Sequence, residues 1–187
     1  MKGPYDIKPF VVIYYMDSSI ATNIKKREVP NDVFYTPLSL VKIHLEKMKK
    51  YVKEGDYILD PFFGSGNYFN LYEEFLPNCH YDFTEIEMGK DFFEYNEKVD
   101  MIISNPPYSI LNAILKKCIQ LQPRVISLLL GIHNLTAKRI KLFNDNGYFL
   151  DDIHFTKVFK WFGMSIIVTF VKGDKSNCVS FDRIVHK

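Results

Sequence analysis

Cysteine is scarce in this chain: three residues, Cys79, Cys118 and Cys178, far apart and without a Cys-x-x-Cys pair. An odd, scattered set argues against a disulfide framework and against a zinc site, and fits a reducing cytoplasmic compartment. No apolar run reaches 18 residues, so no membrane span and no membrane partner are expected. Residues 1–6 lack a secretory pattern. Internal repeats and low-complexity linkers are missing too, which sets aside solenoids and tethers. Alanine is as rare as cysteine while isoleucine, lysine, asparagine, tyrosine and phenylalanine abound, a coding bias of AT-rich genomes and not a chemical signal.

What is present suffices for a packed core. The chain has 187 residues, 47% of them hydrophobic and 16% aromatic, so about one domain is expected and disorder is not. The net charge of +2 conceals an asymmetry. Residues 73–100 carry nine acids and two bases, whereas residues 116–187 carry twelve bases and five acids. Either both blocks are ordinary solvated faces, or a polyanion avoids the first and is drawn to the second.

Residues 10–15 suggest a strand, and Lys25-Lys26-Arg27 a polar loop. Thr36 and Pro37 read as the N-cap and first residue of a helix. Leu38, Val41, Leu45, Met48 and Val52 then form one apolar stripe, with Gly55 as the stop. Beyond Gly55 the period changes. Short apolar runs predict strands at 57–60, 79–86, 91–93, 99–104 and 125–130, alternating with helices over 67–75, about 110–121 and 135–143. Strands at 148–160 and 164–171 follow with no helix between them. Strand–helix alternation ending in a strand pair predicts a mainly parallel α/β sheet with one C-terminal antiparallel hairpin. Ligands bind such sheets at the carboxyl ends of the strands.

Three constellations fall at those ends. Asp60-Pro61-Phe62-Phe63-Gly64-Ser65-Gly66 runs from strand to helix, and its two glycines let a ligand approach the backbone. Phe69 stands where a dinucleotide fingerprint wants a third small residue, and Asp60 would repel a pyrophosphate, so a nicotinamide cofactor is disfavoured. An acid there suits an ammonium or sulfonium group. Next, Glu85 is placed to accept from ribose hydroxyls, and Asp91 from an adenine amino group. Each feature alone is more simply a tight turn or a solvated acid; in this order they favour a nucleoside. Third, Ser104-Asn105-Pro106-Pro107-Tyr108 follows the fourth strand. Two prolines make the corner rigid and remove two backbone donors. The Asn105 Oδ1 and the Pro106 carbonyl are then acceptors for the two N–H bonds of an exocyclic amine. Tyr108 offers a flat face for a planar substrate.

These residues resemble the S-adenosylmethionine (SAM)-dependent amino-methyltransferases of the Asn-Pro-Pro-Tyr class, most closely those that methylate adenine N6 in DNA. The resemblance runs from about Phe34 to Val171 and includes Phe34-Tyr35-Thr36-Pro37 as the motif that closes over the methionine part of the cofactor. It implies a Rossmann-like class I domain over residues 34–187 behind an extension of 1–33. The implied sheet has seven strands in the order 3-2-1-4-5-7-6. It implies cofactor contacts from Tyr35, Thr36, Asp60, Phe62, Gly64, Gly66, Glu85, Asp91 and Phe92, with Asn105, Pro106, Pro107 and Tyr108 catalytic. It implies direct in-line transfer to a flipped or single-stranded base, leaving S-adenosylhomocysteine, with no resident metal. RNA adenine N6, cytosine N4 and protein glutamine N5 are alternative targets, and a non-catalytic SAM-binding subunit is the alternative of another kind. The 79 residues after Tyr108 are expected to be taken up mostly by the sheet, so no separate recognition domain of ~100 residues is expected. Specificity then falls to residues 1–33, to 131–134 or to a partner subunit or second copy. The nucleic acid is expected over Lys116, Lys117, Lys138, Arg139, Lys141, Lys157 and Lys160. Trp161, Phe159 and Phe162 read as hairpin packing; His133 reads as a solvated loop residue ahead of a pocket-lining one, and the other four histidines carry no assigned role.

Overall fold

The computed structural model describes residues 35–158 and 163–173. The expected strand at 10–15, the basic triplet 25–27, Phe34, residues 159–162, Cys178 and His186 lie outside the described residues.

In chain order the elements are α1 (Leu38–Met48), β1 (Tyr57–Asp60), the short helix α2 (Tyr72–Phe75), β2 (His80–Phe83), β3 (Met101–Ser104), α3 (Leu111–Gln120), β4 (Val125–Gly131), α4 (Ala137–Asp145), β5 (Tyr148–Thr156) and β6 (Ser165–Lys172). Among the described residues there is one six-stranded sheet, ordered β2-β1-β3-β4-β6-β5. The first four strands of that order are parallel, and β6 runs antiparallel to both β4 and β5. The expected α/β class and terminal hairpin are therefore present.

Among the described residues the expected strand at 91–93 is not. Deleting the third strand from the expected order and renumbering gives the observed one. Phe92–Glu94 is instead a single 3-10 turn. The Asp91 carboxylate accepts the Phe93 N–H at 2.8 Å, a local bond that competes directly with a sheet ladder. Phe92 is buried while Phe93 is exposed, so only one of the two aromatics supplies burial there.

The strands alternate between two cores, as strands covered on both faces must. Leu59, Ile102, Ile126 and Leu128 pack with α3 and with Phe143 of α4. Ile58, Met101, Ile103 and Val125 pack with Val41, Leu45 and Met48 of α1 and with Tyr72. The stripe read from the sequence is thus the buried face of α1. The helix start differs from expectation: Pro37 occupies the cap position, and no side chain caps the helix. Thr36 is buried, with its hydroxyl committed elsewhere. The register that matters most is β1 beside β3, where Ile58 pairs with Met101 and Leu59 with Ile102. It brings Asp60 and Ser104 side by side at the carboxyl edge.

Candidate active site

Asp60 closes β1 and is fully buried. Its Oδ1 accepts from the Ser104 hydroxyl at 2.6 Å and from the Phe62 N–H at 3.2 Å. Its Oδ2 is buried with no hydrogen-bond partner among the described residues. Burial pushes the carboxyl up to about 7, against the two donors and with a small addition from the Glu85 charge. A buried acceptor left without a donor is costly, and it is the atom a cationic ligand would satisfy.

The loop after Asp60 is fastened to the extension of β2. Thr84 donates its hydroxyl to the Pro61 carbonyl at 2.7 Å, and the Phe63 N–H reaches the Thr84 carbonyl at 3.2 Å. Glu85 accepts from the Gly64 N–H at 2.9 Å. The second acid is thereby held against the glycine loop. Phe62 meets Phe92 edge-on at 5.4 Å, next to Asp91. The loop's aromatic and the acid-flanked turn therefore line one corner.

Both glycines have positive φ, +52° at Gly64 and +77° at Gly66. Their bare faces are occupied by the chain itself. A Cβ on Gly64 would lie 3.3 Å from Tyr35 Cε1; one on Gly66 would lie 2.7 Å from Phe63 Cζ and 2.9 Å from Asn70 Nδ2. The structure thus gives the glycines a packing reason that the sequence reading did not foresee. Gly66→Ala combines an αL penalty with a clash and is expected to cost ~2–3 kcal/mol, read as a lower urea midpoint at unchanged slope. An unaltered midpoint would contradict that geometry.

Tyr35 lies over Gly64, and the Thr36 carbonyl accepts from Asn67 Nδ2 at 2.8 Å. The segment at 35–37 and the glycine loop are therefore joined directly.

On the neighbouring strand, Ser104 leads into the proline corner. Asn105 and Tyr108 are half-buried and Pro106 is buried. The Tyr108 hydroxyl leans toward the Leu129 carbonyl of β4 at 3.5 Å, and its ring packs on the first core. Tyr72 donates to the Ile103 carbonyl at 2.7 Å and braces the strand just before the corner. The structure thus brings 105–108 and 60–66 to adjacent strand ends, tied by the Ser104–Asp60 bond.

The basic surface is less open than the sequence suggested. Arg139 donates to Asn112 Oδ1 at 3.0 Å and to the Asn134 carbonyl and Oδ1 at 2.7 and 3.0 Å, clamping the turn after β4 to α3. Lys141 pairs with Asp145, and Lys117 is buried against Asn96. Lys116, Lys138 and Lys157 are exposed, as is His133. Thr84 and the buried polar residues around His44 were missed by the sequence reading, because their partners are remote in the chain.

No family model matches the chain, and no curated protein does. Solved structures do share its fold. A precorrin-6y C5,15-methyltransferase from Geobacter metallireducens is 15% identical with a TM-score of 0.56, over 72% of this chain and 88% of that one. The Mtq2–Trm112 complex of E. cuniculi, described as responsible for methylating the eRF1 translation termination factor, is 14% identical at 0.58, over 75% and 99%. A human methyltransferase 10 domain containing protein is 14% identical at 0.53, over 75% and 85%. The fold is that of class I methyltransferases.

Proposed function

We propose that the chain is a SAM-dependent methyltransferase acting on an exocyclic amine, with N6 of adenine in DNA as the favoured target. The observation that carries this reading is the 2.6 Å bond from Ser104 to Asp60, which fastens the Asn-Pro-Pro-Tyr corner beside the glycine-loop carboxylate.

The residues fit SAM. Asp60 offers a buried acceptor without a donor, suited to a cationic ligand. Glu85, at the loop, has the chemistry to accept from a ribose, and Phe62, Phe92 and Asp91 flank the adenine side. Tyr35 and Thr36 cover the loop from the other direction. When bound, SAM supplies the electrophilic methyl group.

The chain's own part is positioning. Asn105 Oδ1 and the Pro106 carbonyl accept from the two N–H bonds of the target and orient its lone pair, while Tyr108 holds the plane of the base. These bonds strengthen as the nitrogen becomes cationic, so they favour the transition state over the ground state. A base in a duplex must first leave the stack, at ~ a few kcal/mol.

The exposed Lys116, Lys138 and Lys157 favour a polyanionic substrate. Changing all three to Ser is expected to weaken DNA binding and to flatten log Kd against log salt by about 2–3 units. An unchanged slope would remove nucleic acid from this face. The reading as a whole is tested by incubating the protein with methyl-labelled SAM and duplex DNA, single-stranded DNA, RNA or protein extract. Label on DNA is expected. Label confined to RNA or protein would reassign the target, and SAM retention without transfer to any of them would point to a non-catalytic subunit.

A further inference from the structure

His44 sits on α1 with no solvent exposure. Its Nδ1 lies 2.9 Å from Tyr68 Oη and its Nε2 2.8 Å from Ser127 Oγ on β4. Ser127 Oγ lies 2.8 Å from Thr169 Oγ1 on β6. At the other end, Tyr68 shares a side-chain hydrogen bond with Thr36. Five side chains from four separate stretches of sequence thus form one continuous buried chain.

The imidazole in the middle is neutral. Burial holds it down to about 3, and Lys47 and His154 push the same way. A neutral ring has one donor and one acceptor nitrogen, so the chain has a direction. With Thr36 donating to Tyr68, the Tyr68 hydroxyl donates to Nδ1, the Nε2–H donates to Ser127, and Ser127 donates to Thr169. Each link is satisfied by the next, and removing one leaves its neighbours buried without a partner.

The chain begins at the segment that overlies the glycine loop. Thr36 is held twice, by Tyr68 through its side chain and by Asn67 through its carbonyl at 2.8 Å. Both partners directly follow Gly66. Tyr35, one residue earlier, is thereby set against Gly64. A set of apolar residues would fill the same space without fixing that contact. The polar chain ties the segment at 35–36 to the middle of the sheet, 83 positions away in sequence at the His44–Ser127 link.

We propose that Tyr68 and His44 are positioning residues of the cofactor site: through Thr36 they hold Tyr35 against the glycine loop, and so set cofactor affinity without touching the cofactor. This rests on the SAM reading above.

Tyr68→Phe removes one hydroxyl and keeps the ring in place, whereas His44→Ala opens a hole in the core and risks unfolding. Binding of S-adenosylhomocysteine is measured by titration calorimetry on wild type, Tyr68→Phe, Thr36→Val, the double variant and Ser127→Ala. Tyr68→Phe is expected to raise Kd about three- to tenfold, with kcat at saturating SAM nearly unchanged. The double variant is expected to be no weaker than the weaker single variant, because both cut the same link. Ser127→Ala, on the far side of His44 from Tyr68, is expected to lower Tm with the smaller effect on Kd. If Tyr68→Phe lowers Tm but binds as wild type does, the chain is purely structural and the inference falls alone. If wild type binds no S-adenosylhomocysteine, the SAM reading falls and takes the inference with it.

Discussion

Asn105→Ala is expected to abolish turnover while leaving SAM affinity within a factor of ~3, because under the proposed function the side chain acts on the target amine and not on the cofactor. A donor or acceptor poised for developing charge is commonly worth ~10²–10³ in kcat, and Asn105 is asked to supply at least that. The setting favours a large value. Pro106 is buried, and Ser104 is locked to Asp60 on one side while Tyr108 packs on the core on the other. Asn105→Asp is the informative companion: it keeps an oxygen at the same position and should retain more activity than Ala. Wild-type turnover in Asn105→Ala would remove the catalytic assignment. A parallel loss of SAM binding would instead place Asn105 in the cofactor pocket.

Asp60 carries the second large expectation. Its carboxyl is raised to about 7 in the folded protein against an ordinary value of 3.8. A raised acid stabilises the fold below its unfolded value, and that stability is lost as pH climbs through the folded one. The ligand-free protein should therefore lose stability between about pH 4 and 7, by on the order of 4 kcal/mol at most, and level off above. Asp60→Asn should flatten this slope and be the more stable form at pH 8, since it no longer buries a carboxylate with an unsatisfied oxygen. Cofactor binding should move in the opposite direction. A cationic ligand needs the ionised carboxylate, so wild-type affinity for SAM should fall as pH drops below 7, and Asp60→Asn should bind ~10–100-fold more weakly at pH 8. Denaturant titrations and calorimetry at pH 5, 6, 7 and 8 check both trends. A variant that tracks wild type at every pH would show that Asp60 does not carry the cation.

The features legible in the sequence are those in which neighbours along the chain decide the outcome. The apolar runs at 57–60 and 125–130 read as buried strands from their length and flanks, and the two prolines after Ser104 as a rigid corner. The carboxyl-edge placement of both loops follows from strand alternation alone. The misreadings share a cause. At Asp91 a side chain captured a backbone N–H that a third strand would have used. Thr36 looked like a helix cap until Tyr68 claimed it from 32 positions away. The bonds from Asn112 and Asn134, brought in by two other elements, to the Arg139 guanidinium were equally invisible. His44 was silent because its partners Tyr68 and Ser127 lie 24 and 83 positions off. Long-range polar pairing has no periodicity, so no local pattern announces it.

The proposed function has an amine nitrogen receive the methyl group at the proline corner. The most direct test is to let the protein act on DNA with SAM carrying a deuterated methyl, digest the product to nucleosides, and locate the label by mass spectrometry. The account predicts deuterated methyl on the exocyclic nitrogen of adenine in the wild-type reaction and none with Asn105→Ala. Label on a ring carbon or an oxygen, or equal label from both proteins, would contradict it.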